Sequence, residues 1–591
     1  MSNMIDDLIK KSVVDLFGED KCGDSVTIEQ TKKSFVGDIT IICFPLVKWS
    51  KSSPENTAQI IGDHLLSKES CFQDYNVVKG FLNLTIKKSF WLYQFKRWYE
   101  NKELEYISND SEKLFMVEYS SPNTNKPLHL GHVRNIFLGD SIVSLYKAIG
   151  YKAIRTQIIN DRGIHICKSM VAWQKFGNGD SPKKSSLKGD HFVGKYYVLF
   201  DKTYKSEVQD LIDQGFKENE AKNNAPIMLE AKKMLIDWEN GDSQVRELWT
   251  KMNNWVYDGF SETYLSLGVD FDRLYYESET YKVGKEVVLK GLEEGIFYKK
   301  KDNSVWCDLS TENLDDKLLI RSDGTTVYMT QDIGTAVQRF IDFPKLSGVI
   351  YTVGNEQNHH FKVLFKILEK LGFSWSLNCH HLSYGMVELP DGKMKSREGT
   401  VVDADDLLLS VTEEARKMTE QRGHLEGMNE EEITNLCKKI GKAGLKYFLL
   451  KVDPKKNMTY NPKESIDLNG NTGPYIQYGY ARINSLLNNI SVIGDFDENS
   501  LDISKKELEL IKLILDFNRI LTASAKEYAP SVLANYLFNI VKSYNSFYQE
   551  YPIIKEENTY LRNLRLQISL LTLKIIKKGM GILGCEMPER M

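Results

Sequence analysis

The chain has no C-x-x-C pair and no other zinc-ligand spacing. Its eight cysteines, Cys22, Cys43, Cys71, Cys167, Cys307, Cys379, Cys437 and Cys585, are scattered, which excludes a zinc ribbon and predicts reduced, mostly buried thiols. No apolar run reads as a membrane span, since Lys574, Lys577 and Lys578 interrupt the most apolar late segment. The first residues, MSNMIDDLIKK, carry an acidic pair where a signal peptide would need an apolar stretch, so a cytoplasmic protein is expected. There is also no excess of one charge. The formal net charge of −4 advertises no basic field, and a nucleic-acid partner would need a local patch. With 591 residues, 27% charged and 42% hydrophobic, the composition is that of a globular protein of about three or four domains.

Histidine is scarce, ten in all, yet two stand three apart in SSPNTNKPLHLGHVRNIFLG, residues 120–139. The β-prone run Leu114–Tyr119 precedes this stretch, and Val133, Ile136, Phe137 and Ile142 after it recur like one face of a helix, giving strand, loop, helix. Pro127 suits a helix entry, and Gly131 lets a flat group approach the first turn. On that turn His129 and His132 point the same way, towards what a helix N-terminus attracts, usually an anion. Two surface histidines beside a cap are the plain alternative, and a strand-loop-helix context favours a phosphate site.

Residues 1–106 combine helical patterns with the strand-like runs 36–44 and 80–86, a compact α+β module. Trp91, Phe95, Trp98 and Tyr99 follow at helical spacing and read as core. From 107 to 452 strand and helix patterns alternate: 114–119, 132–149, 152–159, 347–353 and 360–371. Such alternation predicts a parallel sheet of nucleotide-binding type with ligands at its carboxyl ends. A Lys- and Glu-rich helical stretch at about 166–265 reads as an insertion with solvated faces. Residues 317–329, two apolar runs around Ser322-Asp-Gly324, predict a hairpin leading into a helix at 331–339. Long amphipathic helices dominate from about 406, and 453–591 reads as an all-α domain.

Between 384 and 402 the chain runs YGMVELPDGKMKSREGTVV, with Pro390, Gly392 and Gly399 marking a mobile loop that carries Lys393, Lys395 and Arg397. Alone this is a solvated basic turn. HLGH at 129–132 paired with KMKSR at 393–397 resembles the two signature loops of class I aminoacyl-tRNA synthetases. SSPNTNKPLHLGHVR, NDRG at 160–163, YMTQDI at 328–333 and PERM at 588–591 are similar to the arginyl-tRNA synthetase family in particular, and the resemblance runs through the whole chain.

The resemblance implies a Rossmann-type catalytic domain between an N-terminal tRNA-core-contacting domain and a C-terminal anticodon-binding bundle. It implies ATP and L-arginine as substrates, with Mg2+ accompanying ATP, and tRNA(Arg) as acceptor; a monomer is expected, and the scattered cysteines and interrupted apolar runs predict neither zinc nor membrane. In that chemistry the arginine carboxylate attacks the α-phosphorus of ATP, and the arginyl group then passes to a terminal ribose hydroxyl. Positioning and well-placed donors lower the barrier. The ATP contacts implied are His129, Gly131, His132, Lys393, Met394, Lys395, Ser396 and Arg397, with His129, His132, Lys393 and Lys395 catalytic. The lysine loop departs from the family pattern of lysines first and fourth. Starting at Lys393 puts Ser396 fourth, whereas starting at Gly392 puts Lys395 fourth, so both lysines are carried.

A guanidinium has five N–H donors in a plane and calls for a carboxylate with flat or hydroxyl partners. Tyr328 and Asp332, four apart, share a helix face, and by resemblance they contact the guanidinium with Gln357 nearby, while Glu118 and Asn123 line the amino acid. Without the family, Asp332 would be a first-turn carboxylate and Asn123 a turn former. NTGPYIQYGYARINSLL at 471–487 looks like the entry to the bundle, and Tyr475, Tyr478 and Tyr480 are its candidate base-stacking residues. Two alternatives stay open: another class I synthetase, of which the cysteine type would need zinc ligands, and a non-catalytic tRNA-binding paralogue.

Overall fold

A computed structural model describes residues 2–18, 20–32, 34–102, 104, 112–390, 402–422, 427–488, 490–498 and 500–591. The N-terminal module starts with helix α1 (Ser2–Phe17) and strands β1 (Thr27–Gln30) and β2 (Ile39–Ile42), followed by α2 (Pro54–Lys68), β3 (Phe72–Val78), β4 (Phe81–Ile86) and α3 (Lys88–Glu100). Ser53 caps α2, its hydroxyl accepting from Asn56 N at 3.2 Å with Pro54 in the first helical position. The strands form an antiparallel sheet in the order β1-β2-β4-β3. Trp91, Phe95 and Trp98 of α3 are buried, as their spacing predicts.

The catalytic region is built on β5 (Leu114–Glu118), α4 (Leu130–Ala148), β6 (Lys152–Ile159) and α5 (Ile164–Phe176). Inserted helices follow, the long ones being α6 (Gly189–Asp213), α7 (Pro226–Glu239) and α8 (Ser243–Leu267). The sheet then resumes with β7 (Arg273–Tyr276) and α9 (Glu277–Glu293). After a small antiparallel sheet of β8 (Tyr298–Lys299), β9 (Val305–Cys307) and β10 (Lys317–Ile320), the chain continues through α10 (Tyr328–Asp342), β11 (Leu346–Gly354), α11 (Asn358–Lys370) and β12 (His380–Tyr384). The main sheet is parallel throughout, in the order β12-β11-β5-β6-β7. Its two faces follow from strand periodicity: Val117 and Tyr119 pack with α4 and the inserted helices, whereas Met116 packs with α9, α10 and α11. A Cβ on Gly139 would lie 2.3 Å from the Tyr119 side chain, so glycine is what lets α4 close on the end of β5.

One local expectation is corrected. The return arm of the hairpin is a single antiparallel bridge, Ile320 with Thr326, and does not extend as a strand through Val327-Tyr-Met329, because Tyr328 already begins α10. The reverse turn itself is present, with Gly324 N bonded to Arg321 O at 2.9 Å.

Short strands β13 (Val387–Glu388) and β14 (Met458–Thr459) pair beside the sheet, and α12 (Ala404–Arg422) and α13 (Glu430–Leu450) lead to the helical domain. That domain contains α14 (Gly473–Leu487), α15 (Lys505–Leu515), α16 (Phe517–Lys526), α17 (Pro530–Glu550) and α18 (Thr559–Ile582). It docks on the sheet edge, where Tyr528 stacks on His380 with ring centroids 3.9 Å apart. It meets the N-terminal module through Lys96, 3.0 Å from Asp495 and 3.3 Å from Glu498. Among the described residues no helix is long and apolar enough to cross a membrane, and no disulfide joins the eight cysteines, all but Cys379 buried.

Candidate active site

Strand order reverses between β5 and β11, and such a switch point opens a crevice at the carboxyl ends. Glu118 ends β5, Asn160 and Asp161 follow β6, Glu277 follows β7, and Gln357 closes the turn after β11, so chain topology alone gathers these polar residues along one edge.

On one side of the crevice lies the entry to α4. His129 is the N-cap: its Nδ1 accepts from Gly131 N at 3.2 Å, and its own backbone N–H donates to His132 Nδ1 at 3.1 Å. The two rings lie 3.8 Å apart. With each Nδ1 accepting, a neutral imidazole carries its proton on Nε2, so each ring offers an N–H donor. Burial, reinforced by the Lys126 ammonium, pushes His129 down to about 4, and burial together with His129 and Lys126 holds His132 well below its ordinary value. Both are neutral donors near pH 7. Ser120 and Ser121, just after β5, take positive φ of 71° and 44°, the left-handed region that non-glycine residues seldom adopt. Ser120 N is held by Asn135 Oδ1 at 2.5 Å, and Asn135 Nδ2 donates to Thr352 O of β11 at 2.6 Å. The turn is thus fastened to both α4 and the sheet.

Lys393, Met394, Lys395, Ser396 and Arg397 lie outside the described residues. The residues flanking them are fixed beside α4. Buried Arg134 donates to Gly385 O at 2.5 Å and to Lys456 O at 2.9 Å, clamping the segment before β13 against the one before β14. On the far side, Leu130 N bonds Val402 O at 3.2 Å, Ala404 N bonds Leu128 O at 2.9 Å, and Asp403 bridges His129.

Across the crevice the groups are acidic. Tyr328 and Asp332 share the first turns of α10, Tyr328 strongly exposed at 73% and Asp332 half-buried with His360 Nε2 2.5 Å away. Glu118 is buried and ion-paired with Arg339, itself fully buried beneath Tyr351 and Tyr275. Asn123 is exposed and bridges Asn160, and Gln357 is exposed in its turn. Sequence reasoning missed Arg339, His360 and Glu277. Burial pushes the Glu277 carboxyl up to about 7; nearby Arg162 and a hydrogen bond from Gln331 oppose this, while Asp161 and Asp332 add to it. Its one sequence signal was position, an acidic residue directly after a parallel strand. The NDRG motif explains itself as scaffold: Asp161 accepts from Ser278 N at 2.9 Å and Ser278 Oγ at 2.7 Å, tying β6 to α9, and Arg162 lies over the Tyr281 ring at 4.1 Å.

The three tyrosines of α14 differ. Tyr480 is buried in the bundle at 5% exposure, which removes it as a stacking surface. Tyr475 is half-buried, packed on Phe538 and accepting from Asn545 Nδ2 at 3.1 Å, and half-buried Tyr478 accepts from Arg482 at 3.3 Å.

Three family models match the chain: "Arginyl tRNA synthetase N terminal domain" over 3–86, "tRNA synthetases class I (R), catalytic domain" over 97–461, and "DALR anticodon binding domain" over 476–591. The chain is 51% identical to an arginine–tRNA ligase of Bacteroides fragilis (strain YCH46) over 596 residues, 99% of this chain and 100% of that one. It is also 51% identical to that of Porphyromonas gingivalis (strain ATCC BAA-308 / W83) over 582 residues, 98% of this chain and 97% of that one. In fold it is similar to Thermus thermophilus arginyl-tRNA synthetase, with a TM-score of 0.78 at 22% identity covering 99% of each chain. The Plasmodium falciparum enzyme gives 0.79 at 21% identity, covering 100% of this chain and 99% of that one.

Proposed function

The chain belongs to the arginyl-tRNA synthetase family, whose activity it carries, the ATP-dependent ligation of arginine to tRNA, and from that premise we propose how its residues divide the work. His129 and His132 donate from Nε2 to phosphate oxygens of ATP, with Gly131 keeping the first turn of α4 open and Lys393, Met394, Lys395, Ser396 and Arg397 completing the triphosphate contacts. What supports this is the pair of neutral imidazoles whose Nδ1 atoms are already occupied, at the start of a helix whose dipole favours anions. Donors fixed before the reaction need no reorganisation as charge grows on the phosphate oxygens, and this is how such sites lower a barrier. Lys393 or Lys395 meets the departing pyrophosphate. Mg2+ arrives with the triphosphate.

Tyr328, Asp332 and Gln357 receive the guanidinium, and Glu118 and Asn123 the amino-acid end. The concentration of carboxylates on this side supports that assignment, since a fork of N–H donors requires acceptors and is rejected where they are missing. Glu118 has the fully buried Arg339 as its counter-ion. Tyr475 and Tyr478 are the remaining candidates for stacking on unpaired tRNA bases, being the two that are only half-buried. We place the domain divisions at 106/107 and 452/453, and read the protein as a cytoplasmic monomer. The single observation that carries the residue assignment is the opposition of a neutral donor surface on α4 to an acidic surface on α10 and α9. Its test is pyrophosphate exchange with each amino acid, with and without tRNA, where arginine alone should support exchange in the wild type.

A further inference from the structure

A partly buried charge cluster at the start of the inserted helices has no place in that division of work. Lys188, capping α6, donates from Nζ to Asp405 in the first turn of α12, and His191 Nε2 lies 3.2 Å from the same oxygen. Thr263 Oγ1 of α8 donates to the other Asp405 oxygen at 3.0 Å. His191 Nε2 also lies 3.3 Å from Asp403, and Lys188 Nζ lies 3.3 Å from buried Asp190. Asp190, His191 and Asp405 hold their ligand atoms within 4.8 Å of one another, but the Lys188 ammonium already bridges the two carboxylates, so the arrangement is an ion-pair junction and not a vacant cation site.

The junction's position gives it a consequence for the active site. Val402 to Ala404, immediately before Asp405, run antiparallel to Leu128–Leu130, and the two backbone bonds at 3.2 Å and 2.9 Å bracket His129. One of them satisfies the N–H of Leu130, which would otherwise be an orphan of the first helical turn. His129 is thus held between its own cap contacts and a strand whose next residue is gripped by two helices of the insertion. The hydrogen bond to Asp405 raises the pKa of His191, and against the opposing effect of burial the bonds from His191 and Lys188 hold Asp405 down at about 2.

We propose that Asp405 is a positioning residue for arginine activation: paired with Lys188 and His191, it draws Val402–Ala404 against Leu128–Leu130 and thereby sets the His129 donor. Asp405 acts through His129, so the inference rests on the reading of His129 as a phosphate-facing donor. Displacing a catalytic donor by about an ångström costs on the order of a hundredfold in rate, and partial release of one anchor should cost less than that.

The test uses the full chain and arginine-dependent pyrophosphate exchange in the presence of tRNA. Asp405→Asn, which keeps the shape and removes the charge, is expected to lower kcat about tenfold while the arginine KM and the tRNA Kd stay within about twofold and melting shifts by a few degrees. Lys188→Met should do the same, and Lys188→Arg, which retains a cation, should restore kcat to within about threefold of wild type. Thr263→Val, the mildest change, should give a smaller fall of the same kind. A folded Asp405→Asn with wild-type kcat overturns the proposal. So does a loss spread equally over kcat, arginine KM, tRNA Kd and melting, and so does failure of all these variants to fold, since the junction would then serve stability alone. His129→Ala separates the two readings: if it leaves kcat unchanged, the phosphate-donor assignment fails whatever Asp405 does.

Discussion

The two sides of the crevice are held by different means. On the side we assign to the nucleotide, His129 and His132 are fixed first by bonds between residues two and three apart in one helical turn, with Val402–Ala404 bracing His129, and both imidazoles are neutral. On the side we assign to arginine, the groups are fixed by partners far away in sequence, Arg339 with Glu118 at a separation of 221 residues and His360 with Asp332 at 28, and carboxylates predominate. A donor set first by a local cap needs only its own turn and the segment that braces it, and does not titrate near neutrality. A carboxylate set by long-range counter-charges depends on the assembled sheet.

The largest break in that comparison is His132→Ala. Removing one pre-aimed donor is worth about 3 kcal/mol of transition-state stabilisation, so kcat for pyrophosphate exchange should fall about a hundredfold. The arginine KM should not move. Because His132 Nδ1 also accepts the His129 N–H, losing that half of the capping box should lower the melting temperature by a few degrees only. Unchanged turnover in a folded variant would return the histidines to the role of a helix cap. Asp332→Asn addresses the opposite side. A charge-assisted contact contributes roughly 1.5–3 kcal/mol, so the arginine KM should rise more than tenfold with the ATP KM unchanged. Equal effects on both substrates would remove the distinction between the two sides.

What was legible in the sequence follows the same division. His129 and His132 could be found because the information that places them sits in one turn and the strand before it. Tyr328 and Asp332 could be paired because a helix puts positions four apart on one face. Arg339, His360 and Glu277 were missed because each acquires its role only when strands distant in sequence become neighbours. The run Val327-Tyr-Met329 was misjudged for a local reason: its apolar pattern fits a strand, but the return across the turn ends at the Ile320–Thr326 bridge, because Tyr328 already begins α10. Tyr480 looked like its neighbours in α14, and only the packing of the bundle shows that its ring is buried.

The smallest and sharpest effect concerns Glu277. Burial raises its pKa to about 7, against the opposing influence of Arg162, so near neutrality it is divided between acid and carboxylate. The ionised form attracts a guanidinium and the protonated form does not. Arginine KM should therefore fall as pH rises from about 6 to 8, by about fivefold for a charge interaction worth ~1 kcal/mol, and Glu277→Gln should flatten that dependence. Neither histidine contributes a limb in this window, since His129, lowered to about 4, and His132, held well below its ordinary value, are neutral throughout. Stability gives an independent check with a definite sign. A carboxyl whose folded pKa lies above its ordinary 4.5 binds more protons in the folded state between about 4.5 and 7, so stability falls as pH rises through that range. Glu277→Gln removes that fall, and the melting temperature of the variant relative to wild type should be higher at pH 8 than at pH 5. An arginine KM that depends on pH equally in wild type and variant would take the titrating group away from Glu277. If the relative melting temperature then still rose with pH, Glu277 would be a strained buried acid without a part in substrate binding, and the anionic side would rest on Asp332 and Glu118 alone.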